Sequence, residues 1–254
     1  MGRRLLRNLD WRLILLTLFL MVFGLVMIAS ASRTGTEHWT ESAYFRRQLI
    51  WIIIALGAMG GTLLVDYSRL RYSARWLYGL NLLLLVLVLV RGATIKGAQS
   101  WLTFGPVSFQ PAELGKLLII ITLADYIAHL EGRVRSWWDI IRTGLHVLPP
   151  VILLLLQPDL GTALVFLAIW LGILFVGGAP LGKLFLLVSG ALGAAVAAVV
   201  AHLRFGLPLP LKEHQLMRLI VFASPGVDRT GAGYQLIQSL IAVGSGRLLG
   251  KGLF

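Results

Sequence analysis

The stretch FQPAELGKLLIIITLADYI (Phe109–Ile127) starts as a loop and continues as an apolar helix. Pro111 suits a helix's first turn, where its missing N–H leaves no bond unmade. The apolar run Ala112–His129 has about the ~17–25 residues needed to cross the hydrocarbon core of a membrane. Near its mouth sit Glu113 and Lys116, at i and i+3. On a helix that spacing is about 60° of rotation, so they share a face. A charge at membrane depth is costly unless it is paired or hydrated. The pair therefore has two readings. It is an ion pair that locks helix packing, or it lines a polar cavity with Lys116 open to a phosphate and Glu113 to a proton. Asp125 and His129, at i and i+4 near the far end, read as an interfacial pair.

The rest of the chain agrees with a membrane solution. Its 254 residues are 57% hydrophobic and 13% charged, against roughly 25% charged in soluble domains. The expected fold is all-α, a polytopic transmembrane helical bundle forming a single integral membrane domain over residues 1–254. Seven spans are predicted: Leu13–Ala31, Leu49–Val65, Trp76–Val90, Ala112–His129, Leu145–Leu156, Leu160–Val176 and Leu184–Leu203. The fifth is short and contains Pro149 and Pro150, which bend a helix. Without cysteines there is no disulfide or thiolate metal site. The five histidines show no HxxxH or HExxH spacing, so no metal ligands are assigned.

The net charge of +12 would suggest nucleic acid in a soluble protein. Here it points to anionic membrane lipids and topology signals, and no nucleic-acid partner is expected. Lys and Arg concentrate in the segments that are cytoplasmic when the N-terminus is inside: Arg3 to Arg12, Arg69 to Arg75, Arg133 to Arg142, and Lys183. Fewer, including Arg33, Arg46, Arg47, Arg91 and Lys96, fall in the short outside loops. A multi-pass placement with the N-terminus in the cytoplasm is the expected topology. No cleavable signal pattern precedes the first span. Residues 204–254 then begin a large outer loop. Its apolar run Leu236–Val243 is too short to span and reads as an interfacial or re-entrant helix broken by Gly244 and Gly246. The chain stops at apolar Phe254 with no polar tail, the expectation for a fragment.

Three distant stretches meet on the outer face in this topology. QPDLGT (Gln157–Thr162) joins spans five and six; Pro158 stops one helix and Asp159 can N-cap the next through Gly161 or Thr162 N–H. KGAQSWLTFGPVSFQP (Lys96–Pro111) carries Trp101 and a Gly105-Pro106 turn signal. The basic C-terminal region supplies Arg218.

These motifs, with HQLMRLIVFASPGVDRTGAGYQLIQSLIAVGSGRLLGKG (His214–Gly252), resemble the SEDS family of bacterial shape, elongation, division and sporulation proteins. LDWRLILL near the N-terminus resembles its elongation branch more than its division branch. The resemblance covers the whole chain and implies ten transmembrane helices and a peptidoglycan glycosyltransferase. Such proteins polymerise lipid II, a polyprenyl-diphosphate disaccharide-pentapeptide, beside a class B penicillin-binding protein. The family's motif tryptophan, glutamate and lysine match Trp101, Glu113 and Lys116. Its essential aspartate lies downstream of GSGxxxGKG, beyond Phe254, so the catalytic base is placed on no residue here. Related sequences usually carry a basic residue before the tryptophan; here it is Ser100, so that contact is either missing or supplied by Lys96 or Arg218.

Glycosyl transfer from a polyprenyl diphosphate needs a base for the acceptor hydroxyl and cations for the leaving diphosphate. Lys116, Arg218 and Lys96 are candidate cations, and Glu113 positions Lys116. Gln110, Gln157 and Asp159, with Trp101, are candidate substrate contacts. Mg or Mn is a cofactor the chemistry admits, though no ligand cluster calls for it. Two other functions suit a polar intramembrane pair: a lipid II flippase, and a non-catalytic scaffold for the transpeptidase.

Overall fold

The computed structural model describes residues 9–32, 42–95, 98–104, 107–130, 134–206, 208, 217, 221, 224, 226, 231, 233–247 and 250–253. Helices dominate, and a helix stands at each of the seven predicted spans. The chain gathers into two compact units, Met1–Asp66 with Gln238–Phe254, and Tyr67–Ile237.

The first unit contains two long apolar helices. α1 (Trp11–Ala31) starts where Asp10 caps it, accepting from the N–H groups of Arg12 and Leu13 at 3.0 and 3.2 Å. α2 (Ala43–Leu64) begins six residues before the predicted Leu49. Arg46 and Arg47, expected in a loop, therefore lie in its opening turns. Ala29 is the only buried residue of α1, and α2 has none. Apolar side chains on nearly every face are what a lipid-facing helix presents.

The second unit carries the core. A 3₁₀ turn (Tyr67–Ser73) leads into α3 (Ala74–Arg91). The predicted loop then folds as a small sheet, β1 (Ala93–Ile95), β2 (Ala98–Phe104) and β3 (Val107–Phe109), all antiparallel in the order β1-β2-β3. Next come α4 (Pro111–His129), α5 (Trp137–Leu156), α6 (Leu160–Val176) and α7 (Leu181–Phe205). α7 ends at Gly206, whose left-handed φ of 66° suits a residue without Cβ.

α4 is the centre of this unit. Ala112, Gly115, Leu118, Ile119, Thr122, Leu123 and Ile127 are its buried face, at the three- and four-residue intervals of a helix. They meet Leu85 of α3, Leu154 of α5 and Phe166 and Leu174 of α6, all fully buried. Between apolar helices in lipid, close packing is the main attraction, so small residues matter at crossings. A Cβ at Gly115 would lie 2.7 Å from Asn81 Oδ1 and 3.3 Å from Phe166 Cζ. Only glycine permits that approach.

α5 corrects the sequence reading. It is not short: Ser136 and Asp139 form a capping box that starts it at Trp137, eight residues before Leu145. Pro149 and Pro150 lie inside a helix that continues to Leu156. Among the described residues five helices, Trp11–Ala31, Ala43–Leu64, Ser68–Arg91, Trp137–Leu156 and Leu181–His202, are long and apolar enough to cross a membrane. Leu160–Val176 is apolar but shorter, and α4 carries Glu113, Lys116 and Asp125. Asp125 joins His129 at 3.6 Å, as expected, and also Arg71 at 3.4 Å.

Deeper in the bundle a polar seam links four helices. Tyr78 Oη donates to the His146 carbonyl at 2.8 Å, and the two rings stack 4.2 Å apart. His146 Nε2 lies 3.2 Å from Thr122 Oγ1, and Trp170 Nε1 donates to Thr143 Oγ1 at 3.1 Å. Thr122 directs its own hydroxyl hydrogen to the Ile119 carbonyl.

α8 (Tyr234–Gly246) has 13 residues, about 20 Å at ~1.5 Å per residue, short of a ~30 Å hydrocarbon core. Gly244 does not break it; the helix runs through to Gly246.

Candidate functional site

The sheet end of the second unit brings together most of the predicted site. Its organiser is Asp159, in the turn between α5 and α6. One oxygen, Oδ1, accepts the Thr162 N–H at 3.1 Å and so caps α6, as expected. The other, Oδ2, accepts from Ser100 Oγ of β2 and from Gln110 Nε2 before α4, each at 3.2 Å. Gln110 is the N-cap residue of α4 but makes no side-chain bond to that helix. Its amide crosses to Asp159 instead. One carboxylate thus ties the sheet, the start of α4 and the start of α6.

Gln157 reinforces the same junction from below. It is buried to 1% exposure, and its Nε2 donates to the Leu85 carbonyl of α3 at 2.8 Å. Its own carbonyl accepts the Gln99 N–H at 3.3 Å. The Gln99 amide in turn donates to the Leu89 carbonyl at 3.2 Å. Expected as a substrate contact, Gln157 is enclosed in the frame.

Glu113 and Lys116 form the predicted pair, Nζ to Oε2 at 2.7 Å. They occupy the opening turns of α4, on the side away from the buried face. The Glu113 side chain is 57% exposed and that of Lys116 29%. The pair is therefore open to the exterior at the level where Gln110 enters the helix. An exposed pair contributes roughly 0–1 kcal/mol to stability. Trp101 is half-buried on β2, opposite Ala93 of β1. Lys96 and Arg218 lie outside the described residues.

Ser100 was the residue misread from sequence, taken only as the absence of a cation. It is buried and holds Asp159. The signal was in the alternation: Ser100 and Leu102 are buried while Trp101 and Thr103 are not, the period of a strand with one covered face. Among the described residues no three His, Cys, Asp or Glu side chains could hold a metal ion together. Among the described residues of this end, Asp159 is engaged through both oxygens and Glu113 through Lys116.

A set of apolar helices of this length defines a multi-pass membrane protein. The family model for FtsW, RodA and SpoVE, described as cell cycle proteins, matches residues 10–254, and the chain belongs to this family. A relative in Aeromonas salmonicida, named "Probable peptidoglycan glycosyltransferase FtsW", is 37% identical over 96% of this chain and 60% of its own length. One of the same name in Idiomarina loihiensis is 35% identical over 96% and 58%. The chain thus spans about 60% of the length of the curated relatives it matches. Among solved structures, a chain of a peptidoglycan synthase complex that coordinates polymerization and crosslinking superposes with a TM-score of 0.69, at 35% identity. The match covers 95% of this chain and 67% of that one. The rod shape determining protein RodA of Thermus thermophilus gives 0.61 at 36% identity, over 75% and 60%.

Proposed function

We propose that this chain serves a peptidoglycan glycosyltransferase that polymerises lipid II into glycan strands, in cell-wall elongation. The carrying observation is the Glu113–Lys116 pair, exposed at the end of the bundle where Asp159 gathers three stretches. Lys116 is the cation for the leaving diphosphate, and Glu113 orients it. Such a charge acts where negative charge develops during transfer. Trp101 lies on the same sheet as a substrate contact, with Lys96 and Arg218 as further cations. Gln110, Gln157 and Asp159 are positioning residues, since each is engaged within the frame. No described residue is assigned as the base, and no step is routed through a metal.

The sheet end faces outward and the N-terminus inward, the orientation supported by the Lys/Arg distribution. A class B penicillin-binding protein is the proposed partner, supported by similarity to the chain of the synthase complex. The LDWRLILL stretch favours elongation; identity to the FtsW and RodA relatives is alike, at 37% and 36%.

The test is glycan polymerisation from purified lipid II in detergent, using protein expressed from its native reading frame. Lys116→Ala should lower the rate by roughly 10²-fold with an unchanged melting profile. Transport of lipid II across vesicles without any glycan product would establish the flippase instead. Full activity of Lys116→Ala would leave the pair a packing device.

A further inference from the structure

α5 runs through two adjacent prolines, and each leaves a carbonyl one turn earlier without its helical partner. A helical carbonyl accepts from the N–H four residues on, and proline has none. Pro149 frees the carbonyl of Leu145, and Pro150 that of His146. In lipid an unmet carbonyl cannot turn to water. The His146 carbonyl has a substitute donor: Tyr78 Oη of α3 reaches it at 2.8 Å. The Tyr78 ring also lies along the His146 ring, 4.2 Å away at 26°, so the residue that receives the hydroxyl also holds it in place.

The prolines divide α5 into two halves. The first is held by Trp170 Nε1 on Thr143 Oγ1 and by the contact of His146 Nε2 with Thr122 Oγ1. The second leads to Gln157 and Asp159, which frame the sheet end. Leu82 and Val86 of α3, with Leu145, Leu148, Pro149 and Ile152 of α5, line an open groove of about 510 Å³ beside the prolines. At the same place, then, backbone bonds are missing and the packing is open. α3 spans this weak point. Tyr78 grips α5 before it, and Leu85, through its carbonyl, grips Gln157 after it. We propose that Tyr78 is a positioning residue for the sheet end: its hydroxyl stands in for the N–H that Pro150 lacks, and so fixes the course on which α5 delivers Gln157 and Asp159.

A double-mutant cycle on Tyr78→Phe and Pro150→Ala tests this. Tyr78→Phe keeps the ring and removes the hydroxyl. It should lower the melting temperature in detergent by roughly 2–5 °C, the effect of losing one bond and leaving its carbonyl unmet. Pro150→Ala returns an N–H to the helix. In that background the hydroxyl has nothing left to supply, and Tyr78→Phe should move melting by less than about 1 °C. Pro150→Val, closer in volume, serves where Pro150→Ala does not fold. Amide exchange reads the effect at a distance. The Gln99 N–H, bonded to the Gln157 carbonyl, should exchange about tenfold faster in Tyr78→Phe, and no faster in the double variant than in Pro150→Ala alone. Equal melting losses from Tyr78→Phe in both backgrounds would make the hydroxyl indifferent to Pro150 and overturn the proposal. Unchanged exchange at Gln99 in Tyr78→Phe would confine the hydroxyl's effect to α5 and overturn the positioning role. Polymerisation should follow the exchange, with kcat about tenfold lower and KM unchanged. That arm alone rests on the function proposed above: a wild type without glycan product strikes that function, while melting and exchange still decide the role of Tyr78.

Discussion

Replacing Asp159 separates its two jobs, capping and cross-linking. In Asp159→Ala the Thr162 N–H loses its cap, worth about 1 kcal/mol. Ser100 Oγ and Gln110 Nε2 lose a charged acceptor, each contact worth about 1.5–3 kcal/mol, and Ser100 is left buried. Allowing for incomplete additivity among neighbours, the total is about 3–5 kcal/mol. Asp159→Asn should behave differently. Asn caps as well as Asp, so its oxygen keeps Thr162. Its amide group then faces two donors, but the Ser100 hydroxyl can rotate to accept and the Gln110 amide can turn its oxygen inward. What is lost is mainly the charge, about 1–2 kcal/mol. Thermal unfolding in one detergent should rank wild type above Asn and Asn above Ala. At ~2–4 °C per kcal/mol for a chain of this size, Ala should fall by roughly 10 °C. If Asn falls as far as Ala, the carboxylate charge rather than the bond pattern holds the junction. If neither moves, the three-way tie is not a source of stability.

Gly115→Ala should destabilise by about 1–3 kcal/mol through overpacking, because the new methyl meets Asn81 and Phe166; a melting curve identical to wild type would refute the close approach. Glu113→Ala should cost at most about 1 kcal/mol of stability, given its exposure, yet lower polymerisation. Glu113→Ala with Lys116→Ala should restore the melting profile without restoring glycan synthesis, and recovery of both would mark the pair as structural only. In this cysteine-free chain, cysteine at Ser108 should label from outside intact cells and cysteine at Arg135 should not; the reverse pattern inverts the proposed orientation.

Legibility followed the strength of the local signal. Long apolar runs carry their own evidence, so helix positions were readable from composition and length. Their starts were less so, because caps lie outside the apolar run: Ser136 with Asp139 begins α5 well before Leu145. The Glu113–Lys116 contact was legible because helix geometry alone brings i and i+3 together. Asp159 as a cap was legible for the same local reason. Its bonds to Ser100 and Gln110 were not, since they join residues 59 and 49 apart, and no local pattern fixes such distances. His146 was passed over because a lone histidine on an apolar helix has no spacing signature. Its partners, Tyr78 and Thr122, come from two other helices.

The Asp159 junction also orders events at the ribosome. Ser100 and Gln110 emerge first and must wait for their acceptor. At about 5–20 residues per second, the 59-residue interval from Ser100 lasts roughly 3–12 s. Through that interval the rest of the sheet, α4 and α5 are made, while the carboxylate that ties the sheet to α4 does not yet exist. The sheet end therefore closes late, when the α5–α6 hairpin arrives. A translational pause placed after residue 159 would let the junction form, and one placed before it would prolong the open state.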